Sequence, residues 1–354
     1  MNIYDELKNE SYLRDLFTRK EEYNPMKLDK YERFPHGFSN YEDISAPIVS
    51  EYLVKKGHLN IKYPENKKFA VLLTHDIDDI DVSNYHVIRS LIPFPPNRNF
   101  FGFKSIFSER LRGKRAGYKN FKKIVELEQK YNAKSSFYFL ANDKDIFGYK
   151  YKIKEIQDDI CNIIDNGCEV GLHTSYYAYD KLNEIIKEKE KLEKIIGKKV
   201  KGVRNHLLKF KVPDSWDTLS KAGFLYDTTL GYHDMIGFRN GMCHPFKPFN
   251  LNTNKQVDII EIPLCLSDLT LFSYMGKNAL ESWEIIKSFI DVTERLGGVL
   301  TILWHNWTFS YPVTFAGLFG KEWTKLYEKI LKYCYEKNAW LTSGEELSEF
   351  TTKN

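Results

Sequence analysis

The sequence predicts an α/β fold: a distorted (β/α) barrel of seven or eight parallel strands with an N-terminal cap segment. Between residues 69 and 342, short apolar runs alternate with amphipathic stretches. That order requires parallel strands joined by helical crossovers. Five of the apolar runs also deliver an ionisable residue at their carboxyl end, the rim where a β/α barrel gathers its reacting groups. A length of 354 residues and a hydrophobic fraction of 42% suit one large domain with appendages. Periodicity alone leaves a doubly wound open sheet as the alternative.

Residues 1–66 are polar and irregular, with a short amphipathic helix expected over 4–17 followed by Pro- and Tyr-rich connections. They read as an arm or cap on a barrel domain spanning 67–354. Strands are expected at 69–74, 135–140, 169–173, 200–204, 225–228, 259–264, 299–304 and 339–342. Amphipathic helices are expected at 118–131, 153–166, 179–196, 215–222, 279–296 and 322–336. Asn166-Gly167, Gly197, Gly223 and Gly297-Gly298 supply stop signals. The stretch 81–117 is a long insertion whose Ile92-Pro93-Phe94-Pro95-Pro96 cannot continue a helix. A loop of that length is expected to cover an active site.

Charge excludes one class of partner. The net charge is +4, and its lysines alternate with glutamates, as in Lys187-Glu188-Lys189-Glu190-Lys191. Such runs mark solvated helix faces, and no concentrated basic stripe points to nucleic acid. Aromatics reach 15%, which fits either sugar-stacking surfaces or a Phe/Tyr-rich core. Cys161, Cys168, Cys243, Cys265 and Cys334 are odd in number and form no CxxC pair, as expected in a reducing compartment. Met1–Leu7 lacks the pattern of a signal peptide, and no stretch approaches the roughly 18 apolar residues of a membrane span. The expectation is a cytoplasmic protein without a membrane span.

The candidate chemistry lies at the strand ends. The first ends in Thr74-His75-Asp76-Ile77-Asp78-Asp79, the third in His173-Thr174-Ser175 and the fourth in Arg204-Asn205-His206. Tyr226-Asp227 and Trp304-His305-Asn306 close two more. Asp, His and a further ligand make an open site for Zn²⁺ or a similar divalent ion. Asp76 and Asp78 are two apart and share a face on a regular strand, so one can hold metal while the other acts as base. His305 can protonate a leaving group. This set suits hydrolysis of an amide or ester.

These motifs, in this order, resemble those of the NodB-homology polysaccharide deacetylases, carbohydrate esterase family four, over about residues 69–343. The resemblance implies Asp76 as catalytic base and Asp78 as metal ligand. It implies His173 as a second ligand, but Tyr177 stands where the family has its second histidine. His206 is the leading replacement, with His75, water or another residue as alternatives. Arg204 would orient the base, Asp227 would tune the acid with Asp268 in reserve, and His305 would be the general acid.

Further candidates concern the substrate. Tyr176 and Trp304 are assigned to substrate binding. Arg239, in the His-, Arg- and aromatic-rich stretch 229–246, either engages an anionic group or pairs internally. The implied activity is metal-dependent removal of an acetyl group from an amino sugar, in a glycan or in a nucleotide- or lipid-linked precursor. An amide hydrolase acting on a non-glycan substrate and a non-catalytic glycan-binding module are the alternatives.

Overall fold

A computed structural model describes residues 2–81, 118–310 and 321–353. The insertion expected to cover the active site lies, from residue 82 to 117, outside the described residues. The strands are β1 (Phe69–Ile77), β2 (Ser136–Leu140), β3 (Lys144–Asp145), β4 (Gly148–Tyr149), β5 (Glu169–Thr174), β6 (Gly202–Asn205) and β7 (Tyr226–Asp227). They continue with β8 (Phe249–Asn250), β9 (Lys255–Gln256), β10 (Ile260–Glu261), β11 (Leu266–Ser267), β12 (Val299–Leu303) and β13 (Ala339–Thr342). Two short antiparallel pairs, β3–β4 and β8–β9, stand apart from the main sheet.

The main sheet runs β10-β7-β6-β5-β2-β1-β12-β11, with β13 also pairing β1, and all its ladders are parallel. Read from β1, the order climbs through β2, β5, β6, β7 and β10 on one side. On the other side it returns from β12 to β11. This is the circular order of a barrel opened between β10 and β11, and it lacks the reversal of a doubly wound sheet. β1 is the hub: its first half pairs β12 and β13, and from Thr74 onward it pairs β2.

Side-chain alternation sorts every strand into an inner and an outer face. On β1, Phe69, Val71, Leu73 and Ile77 join the large core beneath the helices. Ala70 and Leu72 instead join Tyr138, Tyr226, Ile260, Ile262 and Val299 inside the barrel. The interior is therefore packed, not hollow. Tyr138 and Tyr226 hydroxyls meet at 2.8 Å across it. A Cβ added at Gly202 would lie 2.1 Å from the Tyr226 hydroxyl, so only glycine lets that ring cross the barrel.

The six expected crossover helices form with shifted ends, and Ile48–Lys55 and Gly344–Lys353 add two that were not expected. The longest, Ala279–Leu296, starts on a capping box of Asn278 and Glu281 and stops at Gly297, φ 59°. The expected helix over 4–17 breaks into Ile3–Glu6 and Ser11–Phe17, because Glu10 adopts a non-helical conformation. The expected strand 259–264 keeps only Ile260–Glu261 beside β7. The chain then moves to the opposite arc, where Leu266–Ser267 pairs β12. That transfer proves important for the site.

Residues before β1 pack onto the barrel through Leu7, Leu16, Phe17, Val49 and Leu53, all in the main core. Polar anchors help to fix them. Arg19 reaches the Arg239 carbonyl oxygen at 2.7 Å, and Arg33 donates to the Leu207 carbonyl oxygen at 3.1 Å. No helix among the described residues is long and apolar enough to cross a membrane.

Candidate active site

The inner face of β1 continues from Ala70 and Leu72 to Thr74 and Asp76 and onward to Asp78. His75 falls on the outer face. Its Nδ1 bonds the Trp304 carbonyl oxygen at 2.6 Å and its Nε2 meets Glu128 at 2.9 Å. Tyr327 donates to the same Glu128 oxygen. Both ring nitrogens are committed away from the rim, so His75 is a structural residue, not a third ligand.

Asp76 is buried and accepts from Arg204 Nη1 at 3.0 Å. Arg204 comes from the inner face of β6 and is itself clamped. Its Nη1 also meets Thr74 Oγ1 at 2.7 Å, and Nε donates to the Thr228 carbonyl oxygen at 2.9 Å. Tyr138 lies beneath the guanidinium, 4.9 Å from ring centre to Cζ. A fixed, fully buried cation thus holds the Asp76 carboxylate in one orientation.

Asp78, His173 and His206 converge above this pair, with one ligand atom from each lying within 4.8 Å of the others. Nε2 of His173 is 3.2 Å from Asp78 Oδ1, and Nε2 of His206 is 3.5 Å from the same oxygen. Both rings are oriented from behind. His173 Nδ1 donates to the Arg204 carbonyl oxygen at 2.9 Å, which leaves an unprotonated Nε2 in the neutral ring. His206 Nδ1 is held by the Asp145 carboxylate. Asp78 Oδ1 is buried and accepts no hydrogen bond.

An Asp/His/His set with its ligand atoms this close could hold a borderline divalent ion. Burial alone would push the Asp78 carboxyl up, but His206, His173 and His305 hold it well below the usual range. Burial likewise opposes charge on His173, and Asp76 and Asp78 raise its pKa regardless.

His305 follows β12 and points its Nε2 to within 3.8 Å of Asp78 Oδ2. Asp268 takes both its Nδ1, at 2.6 Å, and its backbone N–H, at 2.8 Å. Burial would lower the His305 pKa, yet Asp268, then Asp78 and Asp76, raise it to about 9. The carboxylate on His305 is therefore Asp268, not Asp227. Strand pairing supplies the reason: β11 lies beside β12 and carries Asp268 to its end, whereas β7 lies between β6 and β10. Asp227 instead accepts from Thr229 at 2.5 Å and sits against Glu261.

Two substrate assignments also change. Trp304 is fully buried on the outer face of its strand, with its ring 5.4 Å from Tyr327 and 5.8 Å from Trp323. It packs helices onto the barrel and does not face the rim. Arg239 is buried and pairs with Glu22 of the N-terminal segment, and it donates to the Gly231 carbonyl oxygen at 2.7 Å. Its charge is spent internally. Tyr176 does lie beside the site, its backbone N–H donating to Asp145 Oδ1 at 3.0 Å. Tyr177, at the position of the missing histidine, is 58% exposed and outside the ligand group.

Asp145 is the residue that sequence reading passed over. It sits on the small β3–β4 hairpin after β2, where Asp143 and Asp145 form an acidic turn at a strand's carboxyl end. That position was the available signal.

Neither the family models nor the curated proteins match this sequence. Solved structures do. A polysaccharide deacetylase from Mycobacterium smegmatis aligns over 83% of this chain and 93% of its own, at 16% identity and a TM-score of 0.54. The CE4 family pseudoenzyme BA3943 from Bacillus anthracis aligns over 98% and 95%, at 13% identity and a TM-score of 0.39. The polysaccharide deacetylase Bc1974 from Bacillus cereus aligns over 78% and 91%, at 14% identity and 0.36. Nine parallel strands, eight of them in circular order, together with the likeness to the Mycobacterium smegmatis structure, give this chain the fold of the NodB-homology polysaccharide deacetylases.

Proposed function

We propose that this protein is a metal-dependent hydrolase that removes an acetyl group from an amino sugar of a glycan or an activated glycan precursor. One observation carries the reading: Asp78, His173 and His206 meet on the same rim as the Asp76–Arg204 and His305–Asp268 pairs. Zn²⁺ fits the donor set best. When bound, such an ion polarises a carbonyl and lowers the pKa of water toward 7.

The chain's own groups then divide the work. Asp76, held by Arg204, takes a proton from the attacking water at its free oxygen, Oδ2. That oxygen lies 3.9 Å from His173 Nε2, on the metal side of the carboxylate. His305 gives the proton at Nε2 to the departing amine, because Asp268 keeps the other proton on Nδ1. Arg204 and Asp268 never touch substrate in this scheme. They fix which atom of each partner faces the reaction.

In this reading residues 1–66 act as a cap on the barrel of 67–354. The five unpaired cysteines favour a reducing compartment and hence a nucleotide- or lipid-linked precursor over a mature wall polymer. The test is direct: Zn²⁺-loaded protein is incubated with N-acetylated oligosaccharides and sugar nucleotides, and acetate is measured. Release that disappears in Asp76→Asn is the expected result. Absence of release from every substrate by protein with full metal occupancy sinks the reading.

A further inference from the structure

One charged group at the rim has no part in this scheme. After His206 the backbone passes through Leu207 and Leu208, both left-handed at φ 59° and 54°, and so turns Lys209 back toward the ligand strands. The Lys209 ammonium is buried between two rings, 4.0 Å from the centre of Tyr176 and 4.1 Å from that of Tyr179. A buried ammonium needs a counter-charge. Lys209 finds it in Glu32 of the N-terminal segment.

The pair is lopsided. The Lys209 side chain is 4% exposed and that of Glu32 is 64% exposed. Glu32 also sits in a tight turn at a left-handed φ of 57°. The cation is fixed by two rings, while the carboxylate reaches it from solvent and can return there. A cleft of about 550 Å³ opens at this contact and is bounded by the exposed Tyr177 ring, Lys30, Lys181 and the acidic Asp180. Ile146 lines it as well. Ile146 follows Asp145, whose carboxylate holds both the Tyr176 backbone and His206, so the cleft adjoins the ligand group.

We infer that this cleft is an anion-binding subsite for the sugar chain, in which a carboxylate or phosphate on the glycan displaces Glu32 from Lys209. Glu32 then stands in for the ligand's anion when the cleft is empty of substrate. The apolar face of the adjoining sugar ring lies on Tyr177, and Lys30 and Lys181 together outweigh Asp180 at the mouth, leaving a net positive field there. The substrate class is thereby narrowed from amino sugars in general to acidic ones. This rests on the deacetylase reading for the glycan, but it concerns binding and not hydrolysis.

Calorimetric titration separates the two. The native protein is titrated with a neutral N-acetylglucosamine oligomer, with an oligomer alternating glucuronate and N-acetylglucosamine, and with a nucleotide diphosphate sugar. At low salt an anionic ligand is expected to bind at least roughly tenfold more tightly than the neutral oligomer. The uronate and nucleotide arms show which anion the cleft takes. Lys209→Met is expected to erase the preference, and Glu32→Gln to strengthen anionic binding by removing the competitor. Glu32 is exposed, so that variant tests the idea even where Lys209→Met fails to fold. Equal affinity for neutral and anionic ligands overturns the inference, as does unchanged anionic affinity in Glu32→Gln. Loss of acetate release with the anionic preference intact would count against the deacetylase reading alone.

Discussion

Replacing Asp145 by Asn changes one atom pair and reverses the orientation logic of His206. Asp145 Oδ1 accepts backbone N–H groups from Ile146 at 2.7 Å and Tyr176 at 3.0 Å, while Oδ2 holds His206 Nδ1. An Asn has one carbonyl oxygen. It will face the two backbone donors, because stranding buried N–H groups costs about 1–3 kcal/mol each. The amide NH₂ then faces His206 Nδ1, which must become an acceptor. The ring proton moves to Nε2, the atom 3.5 Å from Asp78 Oδ1, and the lone pair that would hold metal is lost. Changes behind a ligand lower metal affinity by about 10–100-fold, or about 1.4–2.8 kcal/mol. Asp145→Ala removes the steering without imposing the wrong tautomer. It should lose less affinity than Asn while unfolding at lower urea concentration. Titration of Zn²⁺ against a chromophoric chelator measures both, and the Co²⁺ absorption spectrum reports the coordination. Zn²⁺ affinity in Asp145→Asn within twofold of the native value would refute the tautomer argument.

Further outcomes follow from the same geometry. Arg204→Met leaves the Asp76 carboxylate buried without its cation, so urea titration should show a loss of about 3–5 kcal/mol. Asp268→Asn should depress turnover of an N-acetyl substrate by roughly a hundredfold and spare an aryl acetate, whose leaving group needs no proton. Equal losses on both would remove His305 from the role of acid. Glu169, buried at the opposite end of the barrel, gives a pH test. Burial raises its pKa to about 7, against the hydrogen bonds from Ser136 and Tyr226. A raised carboxyl favours the folded state while protonated. Its contribution is complete below the unfolded value near 4.5 and is lost as pH rises through about 7, an amount of about 3 kcal/mol. Urea stability of the native protein should therefore fall relative to Glu169→Gln between pH 5 and 8, and parallel curves would contradict the assignment.

The fold was legible because eight strands of the main sheet announced themselves as apolar runs and most of the crossover helices as periodic ones, whereas the two-residue strands β3, β4, β8, β9 and β11 are too short to leave a pattern. Alternation on β1 was also legible: Asp76 and Asp78 share the inner face as a spacing of two requires, and His75 takes the outer one by the same rule. The same parity read along β12 puts Trp304 outside and His305 inside, so the assignment of Trp304 to substrate neglected a signal that was present. Other features depend on contacts that no local pattern carries. Arg239 finds Glu22 at a separation of 217 residues. The choice of Asp268 over Asp227 turns on which arc of the barrel the segment after residue 261 joins, and a run of apolar residues does not encode that. His206, by contrast, was legible: it lies two residues beyond Arg204 at the end of an extended β6 and so continues the same inner face.

The central claim is that the metal group uses His206 where the family's motif has a histidine at position 177. Elemental analysis of the native protein beside His206→Ala and Tyr177→Phe tests it most directly. One divalent ion per chain is expected in the native protein and in Tyr177→Phe, and loss of that ion in His206→Ala. A native protein purified and reconstituted without bound metal would contradict it, as would an ion that survives loss of His206 but not of the Tyr177 hydroxyl.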